Sequence, residues 1–371
     1  MSVAKKRLDE LRAIDLIRYP QRQQVANDLV ARYKHSWKKP DFEKYLPLLN
    51  ENLKHVSAEF AFDNMAKMDS QRLSEAARLI GWTLPNNVLV GTIPVGRPVA
   101  FVEQFVDEDE SLIVLSESMY LFLYLSAKVI AMCLPLNMDR DGYGLVFDLE
   151  SSIDAIKNNP SIKHRFEDVL HCTLFNVDLG VFASEQYLVD PTRQTFAGVI
   201  ADLSEMLILG HEFGHLMDQK SGAPQFESGA ESALHFDPII STNWAHEIQA
   251  DLTGAALVIQ AGLVSELDET TILVGIDFCH TMLDIFFRSI QVARGGLECT
   301  SMEGATHPPF SLRRHFIRHV ARGNFAKHEI DFSRNPGETI ELIAEHLWKE
   351  VKPTVLQLAE DGNCLSPFWD A

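Results

Sequence analysis

Residues 199–219 constrain this chain more than any other stretch. They read Val-Ile-Ala-Asp-Leu-Ser-Glu-Met-Leu-Ile-Leu-Gly-His-Glu-Phe-Gly-His-Leu-Met-Asp-Gln. Apolar positions at Val199, Ile200, Leu203, Met206 and Leu207 recur with a helical period. On such a helix His211 and His215, four residues apart, leave one face a single turn apart, so two imidazole nitrogens can hold one Zn²⁺. Glu212 lies one step round the helix. Its carboxylate can reach a water beside the metal without becoming a ligand itself. Gly210 and Gly214 leave room for close approach beside the metal.

A zinc ion that does chemistry needs three protein ligands and one open position. The three-histidine continuation of the motif is absent, because Asp218 and Ser221 stand where a glycine and a third histidine would be. A better source begins at Ser-Thr-Asn-Trp-Ala-His-Glu-Ile-Gln-Ala-Asp, residues 241–251. Ser241 or Thr242 can cap a helix that ends near Gly262. On it Glu247 and Asp251 share a face. Glu247 can give a carboxylate oxygen to zinc, and Asp251 can accept the free N–H of a ligand histidine, fixing its tautomer. His246 is the competing ligand, but adjacent helical residues point about 100° apart, so only one of the two can face the metal. The spacing to Asp251 favours Glu247.

H-E-F-G-H followed by E-I-Q-A-D resembles the gluzincin metallopeptidases, whose third ligand is a glutamate. The E-x-x-A-D form is similar to the CAAX-prenyl and HtpX-type endopeptidases, as is Thr306-His307-Pro308-Pro309 followed by Arg313 and Arg314. A narrower resemblance is to soluble phage-exclusion peptidases of the Lit type. The resemblance spans about residues 199–320. It implies His211, His215 and Glu247 as ligands of one Zn²⁺ per chain, Glu212 as general base, and Asp251 as the partner of a ligand histidine. It implies a protein or peptide substrate. CAAX and HtpX-type relatives are mostly membrane proteins, and this chain lacks their spanning helices. The rival expectation is a non-proteolytic regulatory or scaffold protein stapled by zinc. An intact Glu212 favours the enzyme, since a structural zinc has no use for a base.

The remaining sequence bounds the setting. A net charge of −19 argues against nucleic acid as a partner. Residues 1–40 run the other way, with ten Lys and Arg against four Asp and Glu. Five scattered cysteines without a C-x-x-C pair suggest reduced thiols and a cytoplasmic protein. The most hydrophobic stretch, residues 112–136, is interrupted by Glu117 and Lys128, and reads as a buried helix rather than a membrane span. We therefore expect no stable membrane insertion.

The expected architecture is α+β and mostly helical. A helical subdomain over residues 1–84 precedes a zincin-like domain over 85–371. Its sheet includes a hairpin-like pair at 88–93 and 97–105, a strand at 143–149, and further strands at 174–182 and 186–189. Residues 151–170 read as a helix broken near Asn159-Pro160, and 218–237 as a loop able to act as a flap. His307 can polarise the substrate carbonyl or steady the oxyanion. Arg313, Arg314, Arg318 and Arg322 read as a solvated face or as partners for the acidic bulk. Asp277, His280 and Asp284 read as a buried polar cluster supporting the core.

Overall fold

The computed structural model describes residues 2–18, 61–94, 98–139, 142–174, 189–219, 238–295, 307–325 and 336–361. Within them the protein is a helical body carrying a small sheet, an α+β fold consistent with the zincin type. The sheet has three strands, β1 (Val88–Ile93), β2 (Ala100–Phe105) and β3 (Glu110–Ser116), in the order β1-β3-β2. β1 runs parallel to β3 with Val88 opposite Ser111, and β2 runs antiparallel to it with Ala100 opposite Leu115.

This corrects two sequence expectations. β1 and β2 do not pair as a hairpin, because β3 lies between them. The 112–136 stretch is not one helix: it divides at Ser116, where β3 ends and α3 (Glu117–Cys133) begins. The physical reason is legible afterwards. Leu112, Ile113, Val114 and Leu115 are all buried, as a strand covered on both faces requires, and an unbroken apolar run hides the change of period. The Ser116 hydroxyl accepts the Met119 N–H at 3.2 Å and starts the helix.

Among the described residues two helices precede β1, α1 (Val3–Arg18) and α2 (Ala61–Leu79). Buried Arg12 joins both to the sheet, donating to the Asp63 carboxylate and, at 2.9 Å, to the Thr92 carbonyl. After α3 come β4 (Leu136–Asp139) and β5 (Gly142–Leu145), an antiparallel pair shorter than the strand expected to reach 149. Asp148 then caps α4 (Leu149–Asn158), accepting the Ser151 N–H at 2.9 Å. α5 (Pro160–Leu174) follows the expected break at Asn159.

The long helices make the core. α6 (Pro191–Gln219) packs against α2, α3, α7 (Pro238–Val264) and α8 (Glu269–Ala293). α7 starts three residues before the expected cap, at a proline suited to a helix's first turn. α9 (Phe310–Phe325) and α10 (Pro336–Glu360) close the far side against α8. Among the described helices α8 alone is long and apolar enough to cross a bilayer, yet 67% of that window is buried inside the protein. The strands expected at 174–182 and 186–189, the 218–237 loop and Thr306 lie almost wholly outside the described residues.

Candidate metal centre

Two helices build the site because their facing residues are small. Gly210 of α6 meets Gly254 of α7, and Gly214 meets Ala250, so the helices run antiparallel at close range. A Cβ on Gly214 would stand 2.6 Å from the Ala250 Cα, and one on Gly254 would stand 2.8 Å from the His211 backbone nitrogen. Even alanine would push the pair apart. That contact brings Glu247 and Asp251 up to His211 and His215.

The nitrogens His211 Nε2 and His215 Nε2 are 3.0 Å apart. Glu247 sets Oε2 at 3.6 Å from the first and Oε1 at 3.5 Å from the second. Tetrahedral ligands 2.0–2.1 Å from a zinc ion stand about 3.3 Å from one another, so this triangle has the size a zinc ion needs. His211, His215 and Glu247 are the group among the described residues able to hold a metal ion. The donor set, two imidazoles and one carboxylate, matches the gluzincin-type motif. Burial lowers the proton affinity of both histidines. His215 is pushed down to about 4, with His211 as the second cause. Both imidazoles are therefore neutral at pH 7, the state that ligates metal. Two neutral imidazoles whose ring nitrogens face each other this closely set lone pairs in conflict unless a proton or a cation stands between them.

Asp251 holds His211 in place, as expected, accepting from Nδ1 at 2.9 Å. The structure adds two partners. Arg313 clamps the same carboxylate through Nε at 2.5 Å and Nη2 at 2.6 Å, and His280 Nε2 lies 3.6 Å from Oδ1. Burial alone would raise the Asp251 carboxyl, but the Arg313 charge and the bonds from Arg313, His211 and His280 hold it well below the usual carboxylate range. Arg313 is not solvated: its guanidinium lies over the Phe310 ring, 4.9 Å from the centroid. Of the two roles open to the basic helix in the sequence, pairing with acids prevails. Arg314 bonds Glu341 at 2.8 Å, and Arg318 bonds both Asp277 and Glu341. Arg density in an acidic chain, and the place of Arg313 and Arg314 after Thr306-His307-Pro308-Pro309, were the available signals. They could not name partners on other helices.

Glu212 is buried and lines the cavity beside the triangle. Burial first, and the Glu247 charge second, push its carboxyl up to about 8. A divalent cation alongside would pull it back towards the carboxylate form. His246 is exposed, turned away from the cluster. His307 is 63% exposed on the segment before α9, with Nε2 3.5 Å from Glu247 Oε1. The polar residues of α8 divide: His280 serves Asp251, Asp277 pairs with Arg318, and Asp284 lies 3.7 Å from Arg288.

The cluster opens on a cavity of about 1270 Å³. One wall is residues 98–102, the start of β2 and the turn before it; the opposite walls come from α8, α9 and α10. Compared with protein-family models, curated proteins and solved structures, the chain finds no match, so what the site is rests on its own geometry.

Proposed function

We propose that this protein is a zinc-dependent endopeptidase acting on a protein or peptide substrate. The observation that carries the reading is the triangle of His211, His215 and Glu247 with Glu212 buried beside it at the wall of a large cavity. A zinc ion held by these three residues would supply a Lewis acid and lower the pKa of water enough to make hydroxide available at neutral pH. Glu212 takes the proton from the attacking water and passes it to the leaving amine nitrogen. Asp251 keeps His211 in the tautomer whose Nε2 lone pair faces the site, and Arg313 keeps Asp251 charged while it does so. His307, exposed at the mouth, is available to donate to the carbonyl oxygen of the scissile bond.

The cavity walls favour a peptide. Among the described residues β2 is an outer strand of its sheet, and its first residues line the cavity, so an extended chain can add along its outer edge beside Glu212. The rival reading, a zinc-stapled scaffold without activity, gives no reason for a buried acid at the open side of the triangle or for a cavity of this size. A cytoplasmic setting is part of the proposal, supported by Cys133 and Cys279 being buried thiols outside any disulfide.

The test compares zinc-loaded wild type with Glu212→Gln, scoring new protein termini in a cell extract. The variant should keep its zinc and lose roughly 10²–10⁴ in turnover. Near-wild-type cleavage by the zinc-loaded variant would remove Glu212 from the chemistry.

A further inference from the structure

The metal centre occupies one end of its cavity. The other end runs between α8, α9 and α10 and has a chemistry of its own. Its apolar wall is a stacked pair, Phe287 and Phe310, with centroids 5.6 Å apart and planes 27° from parallel. Phe287 is 49% exposed, and both rings line the cavity, where a ligand can reach them. Beyond the rings lie Asp284, Glu341 and Glu345, all cavity-lining.

These acids belong to a network with Arg288, Arg314, Arg318 and Asp277: Arg288 meets Glu345 at 2.8 Å, Arg314 and Arg318 share Glu341, and Arg318 also takes Asp277. Among the described residues four carboxylates face three guanidiniums, one cation fewer than the acids. A ligand in the cavity can reach the acids: the side chains of Asp284, Glu341 and Glu345 are 24%, 27% and 28% exposed, against 20% for Arg288, 19% for Arg318 and 4% for Arg314. Burial also raises the Asp284 carboxyl despite Arg288 nearby, which is the behaviour of an acid with too little positive charge around it.

Resting on the peptidase reading above, we propose that this arm is a specificity subsite for a lysine or arginine side chain of the substrate. The aliphatic stem lies along Phe287 and Phe310, where the aromatic face also attracts the cation. The charged head ends at Asp284 and Glu345. A neutral side chain of the same length would cover the rings but leave the acids as short of positive charge as before. An acidic one would add a fifth carboxylate to three guanidiniums.

The experiment uses zinc-loaded full-length protein and pools of quenched-fluorescent decapeptides, in which one position is lysine, arginine, norleucine, citrulline or glutamate. Cleavage should favour lysine or arginine over norleucine and citrulline by roughly 10–100-fold in kcat/KM at one fixed distance from the cut bond. Glu345→Gln with Asp284→Asn should erase most of that preference. Phe287→Ala, a change at a half-exposed position, should weaken it. Cleavage with no such preference overturns the subsite and leaves the peptidase reading standing. Preference for glutamate overturns it too, and assigns the arm to Arg314, whose Nη1 donates to no acceptor among the described residues. If wild type cleaves nothing, the peptidase reading falls, and fluorescence anisotropy of the same peptides on zinc-loaded protein decides the subsite. Binding about tenfold tighter for lysine and arginine peptides, lost in the double variant, upholds it; equal binding overturns it.

Discussion

Asp251 and Asp69 are buried to the same degree, 2% and 3% exposed, and behave in opposite ways. Asp251, beside the metal cluster, is held well below the usual carboxylate range by Arg313, His211 and His280, against the cost of burial. Asp69, on α2, is raised to about 7, first by burial and then by the charge of Asp202. Its nearest cation, Arg72, gives Asp202 contacts of 2.7 and 2.8 Å and stands 3.5 Å from Asp69. Glu205, on α6 itself and 4% exposed, is pushed well above its ordinary value for the same reasons. Burial penalises every one of these charges, so the number of donors aimed at each carboxylate decides which keeps its charge. Of these three, the acid that bonds His211 is the one given enough of them.

The largest effect should come from the carboxylate of the triangle itself, Glu247. Glu247→Ala leaves two protein ligands and should strip the zinc and with it all activity, read by elemental analysis of the folded variant. His246→Ala, one residue away, should retain full zinc. The reverse pattern would break the assignment of the triangle.

Next is the clamp. Arg313→Leu leaves the Asp251 charge buried without its main partner and should cost about 3–5 kcal/mol of stability, measured by urea unfolding. Asp251→Asn keeps the shape and should lower zinc affinity on the order of 10–100-fold. A stable Arg313→Leu protein with normal zinc binding would show that His211 and His280 suffice to hold Asp251.

The smallest effect lies on the other side. Because the folded state raises the Asp69 proton affinity, its contribution to stability is full below about pH 4 and is lost as pH climbs through about 7. Asp69→Asn mimics the protonated form. It should therefore match wild type near pH 4 and melt a few degrees higher at pH 8. Equal melting temperatures at both pH values would mean that Arg72 already satisfies Asp69.

The sequence by itself determined what a single helix can determine. His211, Glu212 and His215 are placed relative to one another by the helical repeat, and Glu247 and Asp251 likewise on a second helix, so those five positions were legible before any fold was known. The glycines at 210 and 214 announced a close approach; only packing showed that α7 was what approached, at Gly254 and Ala250. Tertiary structure decided everything that needed a partner from elsewhere in the chain. Arg313 lies 62 residues from the Asp251 it clamps, and although it follows the Thr306-His307-Pro308-Pro309 element, nothing in that local pattern names its partner. The strand order is of the same kind. Residues 88–93 and 100–105 look like neighbours because the link between them is short, but the most buried strand, β3, lies between them and leaves β2 outermost among the described strands, with its first residues lining the cavity. Local geometry follows from backbone periodicity, whereas long-range pairing depends on which surfaces the whole chain can bury at once.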